Sequence, residues 1–545
     1  MSDFVVDFCW DVLEDSRLPL VVCTILVGVL TVYVGRKFYT RQQYKRKVQR
    51  KNEERQKALQ DVLKSLDTDD KDVQDKRKDI LTLTLPQLTQ QLKDGQLSAV
   101  QVLQAYQEKA IAVHDDLNCV TEPIPDALGR AEELDRAGQR SGLLYGVPVS
   151  IKENIDIKGM ANTLGLVKYL ENYAEEDSVI VRVLKKQGAV PFVKTNVPQT
   201  LIDTGCSNPL FGTTLNPRDP TRSPGGSSGG EAALIGGGGS ILGIGNDIGG
   251  SLRIPAHFCG ICGFKPTANR LSKQGYFNCS PGQQGLTGTC GPMARDVDSL
   301  VLVMKALLVP DMFQLDPLVP PIPFRQELVP FQPPKSDNAF YDISPKCLLA
   351  DGGKTIRDRM SGEIADPRLK AVMPYLTMSY FWRKVVGFLL KPISSRFARM
   401  QSHRLLRTIY DLWQRLVERE DYVREFLAAW EDAGIDVLLC HAYPIPAFKY
   451  KGAPALLELA NYTSIFNLLN FPAGVVPVTK VTEEDDRLLD DYTGSDNDIF
   501  DRFVRKVTKG AVGMPVAVQC VALPWQEEAC LRLMKEVETV CKIQL

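Results

Sequence analysis

Histidine is scarce in this chain. Only His114, His257, His403 and His441 occur among 545 residues, and none sits in a motif that would mark the base of a Ser-His-Asp triad. Net charge is nearly absent as well. The 65 Lys and Arg against 66 Asp and Glu leave −1, which argues against a nucleic-acid partner, because such a partner wants a strongly basic face. There is no cysteine framework: the 13 cysteines are odd in number and scattered, as in a protein whose thiols stay reduced and face the cytosol. Cys259-Gly-Ile-Cys262 is the only C-x-x-C, and without a second pair it reads as small-residue packing, so no metal is expected. Phosphate loops are missing too. Gly243-Ile-Gly245 would need a glycine where Ile248 stands, and Gly353-Lys354-Thr355 one where Leu348 stands, so no nucleotide cofactor is expected. The G-x-S-x-G at Gly225 to Gly229 follows a proline-rich loop rather than a hydrophobic strand, which excludes a nucleophile elbow.

What is present is a globular composition, 44% hydrophobic and 24% charged. One run departs from it. Leu18 to Gly35 holds 18 residues without a charge, near the lower limit for crossing a bilayer. Asp3, Asp7, Asp11, Glu14 and Asp15 precede it, opposed only by Arg17. Arg36, Lys37, Arg41, Lys45, Arg46, Lys47, Arg50 and Lys51 follow. That order is the reverse of a cleaved signal peptide, and by the positive-inside rule it predicts a single anchor with the remaining chain in the cytosol. The expected organisation is a luminal N-terminus over 1–17, a transmembrane helix over 18–35, a charged helical stalk over 36–80 and a catalytic domain over 81–545.

Within that domain, Val100, Leu103, Tyr106 and Ala110 share one face of a helix behind Ser98. Tyr145 to Glu153 reads as a strand carrying Lys152 near its end. The stretch Val179 to Asn196 reads as a helix, a stop at Gly188 and a strand over Ala189 to Val193. Continued alternation predicts an α/β fold, a large sheet covered by helices on both faces. Asp316 to Lys335 is proline-rich and is expected to be an extended surface connection. Tyr375 to Met400 mixes Phe381, Trp382, Phe388 and Leu389 with Arg383, Lys384 and Lys391. It is too short and charged to span, and predicts a helix, or a pair of helices around Pro392, lying in a membrane interface, with an ordinary amphipathic helix on the core as the alternative.

The chemistry concentrates in Lys152, in "SPGGSSGG" at Ser223 to Gly230, and in "DIGGSLR" at Asp247 to Arg253. A lysine acts as a base only when neutral, and its ordinary pKa is about 10.4. Burial pushes that down, and glycines with serine hydroxyls supply hydrogen bonds without the negative charge that would push it back. Lys152 to Ser227 is 75 positions and Ser227 to Ser251 is 24, in that order. These blocks, with "GLLYGVPVSIKEN", "CSNPLFG" and "FPAGVVPVT", resemble the amidase signature family, serine hydrolases with a Ser-Ser-Lys triad. The resemblance runs from about Leu81 to the C-terminus.

It implies a large twisted mixed sheet and a set of roles. Ser251 would be the nucleophile, Ser227 the bridging serine after a cis peptide at Gly226, and Lys152 the base. The N–H groups of Ile248, Gly249, Gly250 and Ser251 would form the oxyanion hole, and Leu201 would offer a backbone contact near the substrate. Ser228, Asp247 and Arg253 would support them. It further implies a lipid-amide substrate, a membrane bilayer as partner, a homodimer, and residence in the endoplasmic reticulum or Golgi. There are two departures. Asn246 stands where the family commonly has threonine, with little effect expected since both hydrogen-bond. The passage Pro333 to Leu349 is shorter than in similar proteins, where a strand, a long helix and a further strand are usual. That shortening leaves open a catalytically impaired membrane scaffold, and the family leaves open an amidase for small polar amides.

Overall fold

Thr84 and Ser98 each stand three residues before a glutamine, and each closes a capping box at the start of a helix, Leu85–Asp94 and Ala99–Leu117. The second helix buries Val102, Leu103, Tyr106 and Ala110, and stops at Asn118 in the left-handed conformation. The next predicted unit is a helix over Val179–Lys186 capped by Ser178, followed by Gly188 at φ 84. A Cβ at Gly188 would lie 2.7 Å from the Tyr145 Cα, so packing as well as backbone requires glycine there. The strand after it is Val190–Thr195. The strand holding Lys152 is shorter than predicted, Pro148–Lys152, because a turn at Gly146 occupies the preceding residues: Val147 N–H donates to Leu144 C=O.

The computed structural model describes residues 18–541 except 138–139, 281, 284, 317–333, 336–338, 340–342, 345–346, 348–349, 352, 371–372, 374–377, 379, 393–407, 451–456 and 495–497. The side chains of 18–27, 380, 457 and 458 are likewise outside it.

The strands are β1 (Val120–Pro123), β2 (Pro148–Lys152), β3 (Val190–Thr195), β4 (Ser207–Asn208), β5 (Gly212–Thr213), β6 (Leu242–Asp247), β7 (Cys262–Lys265), β8 (Thr289–Ala294), β9 (Val437–His441), β10 (Ala473–Lys480) and β11 (Pro515–Ala522). Nine form one sheet in the order β1-β3-β2-β6-β8-β7-β10-β11-β9, while β4 and β5 pair separately. The sheet is mixed. β2 runs parallel to β3 and β6, and the other pairs are antiparallel. Every residue of β2 and β3 is buried, so both faces of the sheet are covered, as expected of the α/β class. The parallel register places the carboxyl ends of β2 and β6 side by side, the edge where open α/β sheets bind ligands.

The expected organisation of the N-terminal part needs adjustment. Residues 1–17 lie outside the described residues. Leu18–Leu66 is one continuous helix, and the predicted anchor 18–35 falls on it, with its first ten side chains outside those described. Among the described residues no helix is long and apolar enough to cross a membrane. The chain divides into two compact units, residues 1–54 and 55–545. The exposed stalk predicted for 36–80 therefore ends early. Arg55, Leu59, Leu66 and Ile80 are buried, and Leu59 and Ile80 join the main hydrophobic core.

Two further regions lie only partly within the described residues. The proline-rich connection falls almost wholly outside them. In the shortened passage, Ala339, Ile343 and Cys347 are buried in a cluster with Phe426 and Trp430 of the helix Ile409–Asp432. Of the predicted interfacial segment 375–400, the helix Tyr380–Leu390 is described, and Phe381, Trp382, Phe388 and Leu389 on it are each more than half exposed.

Candidate active site

Lys152 is the last residue of β2, and its side chain is wholly buried. Its Nζ donates to Ser227 Oγ at 2.8 Å and to Asn246 Oδ1 at 2.6 Å, with the Asn246 C=O at 3.5 Å. Burial pushes this lysine down to about 7, against the opposing charges of Asp247, Cys206, Glu231 and Glu153. At neutral pH a large fraction of it is therefore an uncharged amine, able to take a proton.

Ser227 is delivered by a glycine-lined turn. The Gly226–Ser227 peptide is cis. A Cβ at Gly226 would fall 2.1 Å from the Gly205 C=O, so only glycine lets the turn close on the bend there. Directly after it the helix Gly229–Gly236 begins. Ser228 joins this turn to the second serine block: its N–H donates to the Ser251 C=O at 3.1 Å, and its Oγ to the Asn246 C=O at 3.4 Å.

The Ser251 loop is held by one carboxylate. Asp247, at the end of β6, accepts from Gly250 N–H (2.9 Å), Leu252 N–H (3.1 Å), Asn467 Nδ2 (3.0 Å) and both Nε and Nη2 of Arg253. Burial alone would raise this carboxyl, but the Arg253 guanidinium and then Lys265 outweigh it and hold it well below the usual carboxylate range. Arg253 is itself buried and spends its remaining donors on Thr463 C=O, Gln519 Oε1 and Asn467 Oδ1. Thr463 Oγ1 donates to Gly249 C=O at 2.8 Å, which fixes the outer peptide of the loop. Breaking such a buried pair by removing one partner costs about 3–5 kcal/mol.

Within this lattice the four N–H groups expected to form the oxyanion hole are not alike. Gly250 N–H is directed at Asp247, leaving the N–H groups of Ile248, Gly249 and Ser251 without an intramolecular acceptor among the described residues. Ile248 is 38% exposed and Ser251 half-buried, so the loop opens outward as a substrate site must. The hydroxyls of Ser227 and Ser251 are not hydrogen-bonded to one another in this structure. Their loops are joined through Ser228, and catalytic hydrogen bonds commonly tighten only once substrate is bound.

Leu201 closes the short 3-10 turn Gln199–Leu201 at φ 62 and packs against the cluster that holds Leu164, Leu166 and Ile356. Among the described residues no histidine is hydrogen-bonded to Lys152, Ser227 or Ser251. His257 and His114 are buried and pushed down to about 4 by burial, and each ring accepts a backbone N–H, from Ala517 and Val120. His403 lies outside the described residues. Among those described, no group of three or more His, Cys, Asp or Glu is placed to hold a metal ion.

Two residues around the lysine escaped the reading of the sequence, and a third was read only as a departure from the family pattern. That third, Asn246, touches the lysine directly. Asn154 touches Asn246, its Oδ1 accepting from Asn246 Nδ2 at 3.0 Å. Glu231, fully buried below β2, accepts from Ser150 Oγ (2.6 Å) and Thr195 Oγ1 (2.7 Å) and is pushed up to about 7 by burial. Its one signal in the sequence was a carboxylate inside a glycine-serine block, "SSGGEAA", where charge is otherwise absent.

Comparisons with known proteins bear on the family and the fold. A family model described as amidase matches residues 101–327 and 324–531. Fatty-acid amide hydrolase 1 of Sus scrofa is 44% identical over 501 residues, covering 84% of this chain and 86% of that protein. Fatty acid amide hydrolase 1 of Caenorhabditis elegans is 34% identical over 542 residues, covering 90% and 93%. A solved structure of a fatty acid amide hydrolase superposes with a TM-score of 0.69 at 24% identity, over 92% of this chain and 96% of that one, which establishes the shared fold.

Proposed function

The chain belongs to the amidase family and hydrolyses amides, and from that premise we propose that its substrates are long-chain fatty-acid amides, split through an acyl-enzyme on Ser251. The observation that carries the reading is a buried, partly neutral Lys152 hydrogen-bonded at 2.8 Å to the serine that precedes the nucleophile, in a chain whose relatives are named for this substrate class.

Lys152 takes the Ser227 hydroxyl proton while Ser227 takes that of Ser251, and the Ser251 oxygen attacks the amide carbonyl. The carbonyl oxygen gains negative charge against the N–H groups of Ile248, Gly249 and Ser251, each such donor worth about 3 kcal/mol. The proton then returns through Ser227 to the departing nitrogen, so the amine leaves neutral. Water reverses the sequence on the acyl-enzyme and releases the fatty acid.

The bilayer is the proposed source of substrate. Exposed Phe381, Trp382, Phe388 and Leu389 on one helix, and Ile409, Tyr410 and Trp413 on another, offer aromatic and aliphatic side chains of the kind that settle in a membrane interface. The uncharged run Leu18 to Gly35 serves as the anchor, with the catalytic unit on the cytoplasmic side of an endomembrane and the active form a homodimer.

Purified protein releases fatty acid from oleoyl amide, and Ser251→Ala lowers kcat by about 10⁶; full activity in that variant ends the mechanism. Replacing Trp382 and Trp413 together by Ser, in protein lacking residues 1–35, weakens co-flotation with liposomes by about tenfold or more, since burying one such side chain is worth about 1.5–3 kcal/mol. Unchanged flotation assigns these helices to another surface.

A further inference from the structure

A hydrogen bond has a direction, and around Lys152 that direction is set from a distance. The Phe277 C=O can only accept, and it accepts from Asn154 Nδ2 at 3.0 Å. Asn154 must then present Oδ1 on its other side, where Asn246 Nδ2 donates to it at 3.0 Å. Asn246 is in turn obliged to present Oδ1 to Lys152, 2.6 Å from Nζ, with its own C=O at 3.5 Å from the same nitrogen. A neutral lysine has two N–H bonds and one lone pair. Both oxygens of Asn246 can only accept, so they take the two N–H bonds, and the remaining neighbour, Ser227 Oγ at 2.8 Å, can donate its proton to the lone pair.

We infer that Asn246, itself oriented by Asn154, is a positioning residue that occupies the N–H hydrogens of neutral Lys152 and thereby turns the amine's lone pair onto the Ser227 hydroxyl. The inference rests on Lys152 being the base of the proposed reaction. It also accounts for an amide at this position in place of a carboxylate. Asp247 at the end of β6, Glu153 after β2, Glu231 at the start of the helix Gly229–Gly236, and Cys206 already face the lysine. None of them is hydrogen-bonded to Nζ among the described residues. An amide oxygen supplies direction without the full negative charge that would hold the amine protonated.

The test uses the full-length protein and a fluorophosphonate probe, whose reaction with Ser251 needs the base but no amide substrate, alongside oleoyl amide hydrolysis. In the wild type, both rates rise with pH to a plateau as Lys152 loses its proton. Asn246→Asp exchanges one NH2 for an oxygen and places a charge beside Nζ. It moves the acid limb of both profiles upward by about 1–3 pH units. Asn246→Leu keeps the volume and removes the acceptor, lowering the plateau kcat about 100-fold with KM within about threefold. An acid limb in Asn246→Asp that coincides with the wild type overturns the inference, as does a folded Asn246→Leu that retains wild-type kcat. Should the leucine variant fail to fold, the near-isosteric aspartate decides alone. Wild-type protein that reacts with the probe but spares oleoyl amide defeats the lipid-amide reading, and the probe's pH profile still decides this one.

Discussion

Lys152 and Lys265 occupy comparable places and touch different partners. Each is the final residue of a strand, β2 and β7, each is fully buried, and each is pushed down to about 7, chiefly by burial. For Lys265 the Arg253 charge pushes the same way, opposed by Asp247 and Glu527. Their neighbours differ. Lys152 Nζ meets a serine hydroxyl and an oriented amide, whereas Lys265 Nζ donates to the Pro266 C=O at 3.0 Å. A carbonyl has no proton to give. The comparison teaches that a lowered pKa makes an amine available, and that the base proposed here differs from Lys265 in having a hydroxyl within reach. Lys265 instead contributes positive charge to the Asp247 carboxylate that holds the Ser251 loop.

The widest separation between the two is expected in rate. Lys152→Ala lowers kcat for oleoyl amide by about 10²–10⁴, the usual worth of a general base. Lys265→Met leaves kcat within about tenfold, because the loop keeps its Arg253–Asp247 pair and loses only a supporting charge. Equal losses in the two variants would erase the distinction and place Lys265 in the proton path.

How far the sequence separates these lysines is instructive. "VSIKEN", "PFVKTN" and "CGFKPT" are three strand ends with a lysine in the same local setting, at Lys152, Lys194 and Lys265, and all three are buried. Nothing within a few residues distinguishes them. Lys152 was legible only through its order with the two glycine-serine blocks, and through the family those blocks resemble. The α/β alternation, the Ser98 helix and the Gly188 stop were legible because they follow local periodicity and capping. The orientation of Asn246 was not, since it is dictated by the Phe277 carbonyl more than thirty positions away and by a loop crossing no pattern announces. The contact of Gly250 N–H with Asp247 was hidden for a similar reason. It depends on where the Asp247 carboxylate points, which Arg253 settles together with the distant Asn467 and Gln519.

The smallest expected effect separates the lysines by stability. A lysine whose folded pKa is about 7 and whose unfolded pKa is about 10.4 binds fewer protons folded than unfolded between those values. Stability therefore rises with pH across that window, and the penalty is fully present below about pH 7. Methionine at 265 carries no such penalty, so Lys265→Met is the more stable protein at pH 7. As pH rises from 7 to 8 the wild type regains ground, and the gap in urea-unfolding free energy narrows by about 1 kcal/mol. Comparing the two proteins at each pH cancels the buried thiols, which burial raises and which pull the other way at higher pH. A gap that stays constant from pH 7 to 8 means Lys265 keeps its proton in the folded state, and the likeness between the two lysines then ends at their burial.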